Sequence, residues 1–165
     1  MSLEEARALL SAVLNDSESP NRERDFCMIT LFLNCGMRVG ELVGINLQDI
    51  DTELRSLRVL GKGNKERIIY LNEACREALR GYLSVRKSEK YAKCNDKALF
   101  LSNRMARLSI QGVQVTVQKY LRIAGLESKH YSVHKLRHTA ATLMYQSGAV
   151  DIRVLKDILG HEQLN

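Results

Sequence analysis

Leu3, Ala6, Leu9, Leu10 and Val13 recur at intervals of three and four, so residues 3–14 are predicted to form an amphipathic helix. Ser2 with Glu5 three residues on is a capping-box pair at its start. Residues 15–20 are rich in turn formers and read as a loop. A second helix is predicted from about Arg22 to Asn34, with Gly36 placed to end it. A short helix follows around Val39 to Gly44.

The pattern then changes. Residues 54–60 and 67–71 are short β-type runs, and the glycine-punctuated stretch 61–66 between them makes a hairpin. Asn72 caps a helix reaching about Arg86, a polar loop spans Lys87 to Lys97, and Ala98 to Leu101 read as a third short strand. Ser109 opens a helix that Gly125 ends, Ser132 one that Gly148 ends, and Asp151 a last one that Gly160 ends. The expected fold is mainly α with a small antiparallel β-sheet, an α+β arrangement in one domain spanning 1–165, with no internal repeat or dividing linker.

Composition narrows the class. The chain of 165 residues is 45% hydrophobic and 27% charged, ordinary for a globular domain, and its single proline argues against long disordered tracts. No apolar run approaches the roughly 20 residues that cross a bilayer, and no secretion leader is visible, so a cytoplasmic protein without a membrane partner is expected. Lys and Arg number 25 against 19 Asp and Glu, a net charge of +6. That balance suits a polyanion but does not by itself select nucleic acid. Four cysteines without CxxC spacing point to reduced, structural thiols.

Chemistry concentrates in four places. On a helix, His134, Arg137 and His138 share one face. Arg grips phosphate through parallel N–H groups, and His donates to an oxygen or moves a proton near neutral pH. The segment alone reads equally as a solvated polar face. His134 and His138, extended by His130, have helical zinc-ligand spacing, but Lys135 stands where a zinc protease helix carries Glu, so no metal is expected. Arg38 follows a helix-ending glycine, with Glu41 one turn on to hold its side chain; alone this is an ordinary surface pair. Lys62, Lys65 and Arg67 make the hairpin basic, as a solvated turn or as a lysine offered to a phosphodiester. His161 follows a helix end in Leu159-Gly160-His161, where a cap or exposed side chain is the plain reading.

The segments Gly36-Met37-Arg38-Val39-Gly40-Glu41-Leu42, Gly61-Lys62-Gly63-Asn64-Lys65-Glu66-Arg67, His134-Lys135-Leu136-Arg137-His138 and Leu159-Gly160-His161 occur in this order. Together they resemble the four hallmark boxes of the tyrosine recombinase (phage integrase) family, and within it the bacterial Xer-like branch. The resemblance covers essentially the whole chain. It implies the tyrosine recombinase catalytic-domain fold and site-specific recombination of double-stranded DNA by strand cleavage and rejoining. A tyrosine attacks a phosphodiester, forms a 3′-phosphotyrosyl link and frees a 5′-hydroxyl, without cofactor or metal.

It also implies roles. Arg38 and Arg137 clamp the phosphate, Lys62 is the general acid, His134 takes the tyrosine proton or holds the phosphate, and His161 hydrogen-bonds the same phosphate. Glu41 supports the site and His138 packs or buttresses. In the family the nucleophile lies on the helix after the Leu-Gly-His histidine, whereas this chain stops at Asn165, and none of its six tyrosines matches that position. The expectation is a catalytic domain without its nucleophile or the family's N-terminal DNA-binding domain, monomeric and inactive alone, from a parent that acts as a tetramer on DNA. The alternatives are a non-cleaving DNA-binding relative and, third, a metal-dependent hydrolase.

Overall fold

The computed structural model describes residues 1–139. The helices predicted at 132–148 (beyond Thr139) and 151–160, together with Tyr145 and His161, lie outside the described residues.

Helix α1 (Leu3–Leu14) starts as its capping box dictates: Ser2 Oγ accepts from the Glu5 N–H at 3.1 Å, and Glu5 Oε1 from the Ser2 N–H at 2.8 Å. Helix α2 (Arg22–Cys35) is buried along nearly its whole length, from Arg24 to Asn34, and packs against α1 on one side and α4 on another. A helix with apolar residues on every side belongs in the middle of a domain. Gly36 ends it in the left-handed conformation, φ 63°, which a glycine adopts without a Cβ clash. Helix α3 (Val39–Val43) follows at once.

Strands β1 (Ser56–Leu60) and β2 (Glu66–Tyr70) pair antiparallel, Ser56 opposite Tyr70 and Leu60 opposite Glu66. The pairs Leu57–Ile69 and Val59–Arg67 share the inward face, and Leu57, Val59 and Ile69 are buried there. Helix α4 (Glu73–Arg86) begins with Asn72 Oδ1 accepting from the Cys75 N–H at 2.9 Å. Helix α5 (Ile110–Ile123) begins with Ser109 Oγ accepting from the Gly112 N–H, also at 2.9 Å, and packs on α1 and α3. The chain is helical again over residues 133–139, here α6, where the described residues end.

The third strand expected at Ala98–Leu101 does not form. These residues are buried but pair only at single positions, Asn46 with Ala98 and Leu101 with Arg107. Side chains take three of their carbonyls instead: Arg86 donates to Ala98 O, Tyr82 Oη to Leu99 O at 2.7 Å, and Arg24 to Leu101 O at 2.8 Å, while Phe100 O accepts the Leu108 N–H at 2.9 Å. Buried backbone acceptors satisfied this way have no need of a ladder. Among the described residues the sheet therefore has two strands, and the α+β description holds.

Candidate active site

The turn from α2 into α3 sets the first cation. Gly36 reverses the chain and Arg38 sits at the α3 N-terminus in extended conformation, its side chain exposed. Glu41, in the first turn of α3, accepts the Arg38 backbone N–H at 2.9 Å. The same carboxylate takes Arg67 from β2 in a bidentate pair, Nε to Oε2 at 2.9 Å and Nη2 to Oε1 at 2.8 Å, with the Glu41 side chain only 5% exposed. Glu41 was expected to hold the side chain of Arg38; it holds that residue's backbone and the side chain of Arg67. The register explains the choice, because Arg67 shares the inward face of the hairpin with Val59. The hydrogen bonds from Arg67, then the N–H of Arg38, hold the Glu41 carboxyl below the usual range against the opposing effect of burial. Glu41 in turn raises the Arg67 guanidinium.

One carboxylate thus joins the Arg38 turn to the hairpin. The hairpin tip is a single tight turn, Lys62–Asn64, with Gly63 at φ 73° and Asn64 at φ 59°. It is closed by the Gly61 N–H donating to Lys65 O at 2.8 Å. Lys62 and Lys65 are exposed there. A Cβ on Gly61 would lie 3.4 Å from Glu41 Oε2, so the strand end sits close over the carboxylate.

Helix α6 carries the next groups. Val133 and Leu136 are buried, and the Tyr131 hydroxyl donates to Glu5 at 3.0 Å while Gln118 Nε2 donates to Tyr131 O at 2.9 Å. These contacts fix the entry to α6 against α1 and α5. Arg137 Nε then donates to Gly36 O at 2.8 Å, using a carbonyl that the end of α2 leaves over. Among the described residues, neither the Arg38 guanidinium nor the terminal nitrogens of Arg137 make a hydrogen bond to another group.

Two adjoining grooves meet at these arginines. One, of about 610 Å³, is lined by Arg38 and Arg137 with Lys62, Lys65, Glu41 and Arg67. The other, of about 640 Å³, is lined by Arg38 and Arg137 with His134, Ser132, Gln114 and Gln118. Arg38 from the α2–α3 turn, Lys62 from the hairpin tip, and His134 and Arg137 from α6 come from three separate segments to this one surface. His161 lies outside the described residues. His138 is on the exposed side of α6, outside the lining of the two grooves. His130 caps a separate turn, Glu127–Lys129, at φ 56° and does not continue the α6 face.

Sequence reading missed Gln114, Gln118 and the pairing of Arg67. The two glutamines are one turn apart on α5, a spacing visible in the sequence but without meaning until the neighbouring helix is placed. None of the five tyrosines among the described residues lines either groove.

All of residues 1–165 match the phage integrase family. The chain belongs to the phage integrase family. Over 165 residues it is 54% identical to the tyrosine recombinase XerC of Caldanaerobacter subterraneus subsp. tengcongensis, covering all of this chain and 44% of that protein. The XerA recombinase crystal structure superimposes with a TM-score of 0.77 at 32% identity, over 98% of this chain and 55% of that one. The XerH recombinase bound to its difH substrate before cleavage gives 0.74 at 26% identity, over 98% and 46%. The chain spans about half the length of the curated relatives it matches. The mainly helical fold with its small sheet is that of tyrosine recombinase catalytic domains. No helix among the described residues is long and apolar enough to cross a membrane.

Proposed function

We propose that this chain is the phosphate-activating part of a tyrosine site-specific DNA recombinase of Xer type. The observation that carries the reading is the shared position of Arg38 and Arg137, which line both grooves, one offering Lys62 and the other His134. Negative charge grows on the non-bridging oxygens of a phosphodiester under attack, and preorganised donors aimed there lower the barrier. Arg137 is preorganised by its bond to Gly36 O, and the backbone bond from Arg38 to Glu41 fixes where the Arg38 side chain leaves the chain.

In this scheme Lys62, on its turn, protonates the leaving 5′-oxygen. His134 takes the proton of the attacking tyrosine or holds the phosphate, and His161 completes the donor set. The tyrosine comes from beyond the described residues, since Tyr82 and Tyr120 are buried, Tyr131 is bound to Glu5, and Tyr70 and Tyr91 lie elsewhere. The chemistry calls for no metal or cofactor. Double-stranded DNA is the substrate, the recombining assembly is a tetramer on DNA, and a DNA substrate places the protein in the cytoplasm.

The deciding experiment uses the full-length protein that carries these residues, with a nicked duplex that traps the covalent intermediate. A protein–DNA adduct resistant to denaturant and removed by protease is expected, and it is lost with Arg137→Ala. Binding without any adduct would replace this reading with that of a non-cleaving DNA-binding relative.

A further inference from the structure

Beneath the Arg137 anchor lie two sulfurs that the proposed reaction does not use. Cys35 is the last residue of α2, next to Gly36, and Cys75 is in the first turn of α4. Their Sγ atoms are 3.7 Å apart, although the residues are 40 positions apart in sequence. The helix ends that carry them are held together beside the sulfurs, where Asn72 Nδ2 donates to Asn34 Oδ1 at 3.3 Å. Cys75 is fully buried, whereas Cys35 is only partly so. The other two thiols are placed differently. Cys27 is fully buried in α2, where burial pushes its thiol well above the usual range. Cys94 sits in the polar loop after α4, with its thiol donating to Met105 O at 3.2 Å.

We propose that Cys35 and Cys75 form an oxidant-modifiable dithiol that closes to a disulfide with a peroxide as the co-reactant. Cys35, the more accessible thiol, is oxidised first: its sulfur takes one peroxide oxygen to become a sulfenic acid, and the other leaves as water. The Cys75 sulfur then attacks the Cys35 sulfur, the S–O bond breaks, and a second water leaves as the S–S bond forms. In sum, two thiols and one peroxide give one disulfide and two waters. Closing the bond needs an approach of roughly 1.7 Å, from contact to a bonded separation near 2.05 Å. The product ties the end of α2 to the start of α4, one residue from the carbonyl that fixes Arg137. None of this depends on the recombinase reading.

The test exposes the folded chain to a small excess of hydrogen peroxide, then unfolds it and alkylates with N-ethylmaleimide. A monomer lighter by two hydrogen atoms is expected, with two of the four cysteines protected from alkylation and a peptide map that joins Cys35 to Cys75. The melting temperature should rise by about 5–10 °C, as for a disulfide closing a loop of this size, and dithiothreitol should reverse both changes. Cys94→Ser should keep the link, while Cys35→Ser should leave Cys75 fully alkylated. Alkylation of all four thiols, a bond through Cys27 or Cys94, a link between chains, or oxidation of Cys35 that stops short of a disulfide would each overturn the proposal.

Discussion

Glu41 and Gly36 show how much of the site rests on single groups. Glu41 receives two hydrogen bonds from Arg67 and one from the backbone of Arg38, so its charge joins two segments 26 residues apart. Its carboxyl is held below the usual range, so the stability it adds is complete above the unfolded value, about 4.3, and is lost as pH falls through the lower folded value. Glu41→Gln keeps the cap but removes the charge. It should lower stability at neutral pH by about 1 kcal/mol, a modest figure because Arg67 is half exposed. Urea unfolding of both proteins at neutral and strongly acid pH checks this, and a gap that stayed constant with pH would be the wrong result. Gly36 O fixes Arg137 through Nε, which leaves the far end of the guanidinium for phosphate. Lysine cannot serve both ends. In the full-length protein, Arg137→Lys should therefore cost nearly as much cleavage rate as Arg137→Ala or Arg38→Ala, roughly 10²–10³-fold each. Near-normal cleavage by the lysine variant would mean that only charge matters at this position.

At the scale of elements, the hairpin is the part whose chemistry can be isolated. Its tip carries Lys62 on a turn of three residues, and the strand just beyond that turn is pinned by Arg67 to Glu41. A lysine acting as general acid matters only when the leaving oxygen needs a proton. Lys62→Ala should thus slow cleavage of an ordinary strand and matter far less when the 5′-bridging oxygen is replaced by sulfur, since a thiolate leaves unprotonated. Equal slowing on both substrates would move the acid role to Lys65 on the same turn. Most of these elements were legible because their ends are written locally: Ser2, Asn72 and Ser109 cap helices through their own side chains, and Gly36 terminates α2. The third strand misled because an apolar run at 98–101 looks the same whether a ladder or Tyr82, Arg24 and Arg86 satisfy its carbonyls. The site divides the same way. Arg38, Lys62, His134 and Arg137 stood out by type and order, while the Arg67–Glu41 pair and the groove-lining Gln114 and Gln118 depend on how distant segments pack, which no local pattern records.

For the whole molecule, the net charge of +6 has to be reduced to the cations that are available to a polyanion. Arg24 and Arg86 are buried on carbonyls, Arg107 is spent on Val43 O, Ile45 O and Asn46, and Arg67 and Arg58 are paired with Glu41 and Asp49. The two grooves present Arg38, Arg137, Lys62 and Lys65 together on one surface. Binding of duplex DNA by the chain alone should therefore be weak, nearly indifferent to sequence and governed by counterion release. Neutralising about five phosphates gives a slope of log K against log salt near −4 to −5. The slope is also a count, so it can be taken apart: Lys62→Ala and Lys65→Ala should each make it shallower by about 1, whereas Arg86→Lys, altered in the interior, should leave it unchanged. Fluorescence anisotropy of a labelled duplex over a series of salt concentrations measures all three. A slope near zero, or one that Lys62→Ala and Lys65→Ala leave untouched, would place the DNA on another face of the molecule and remove the grooves from the binding surface.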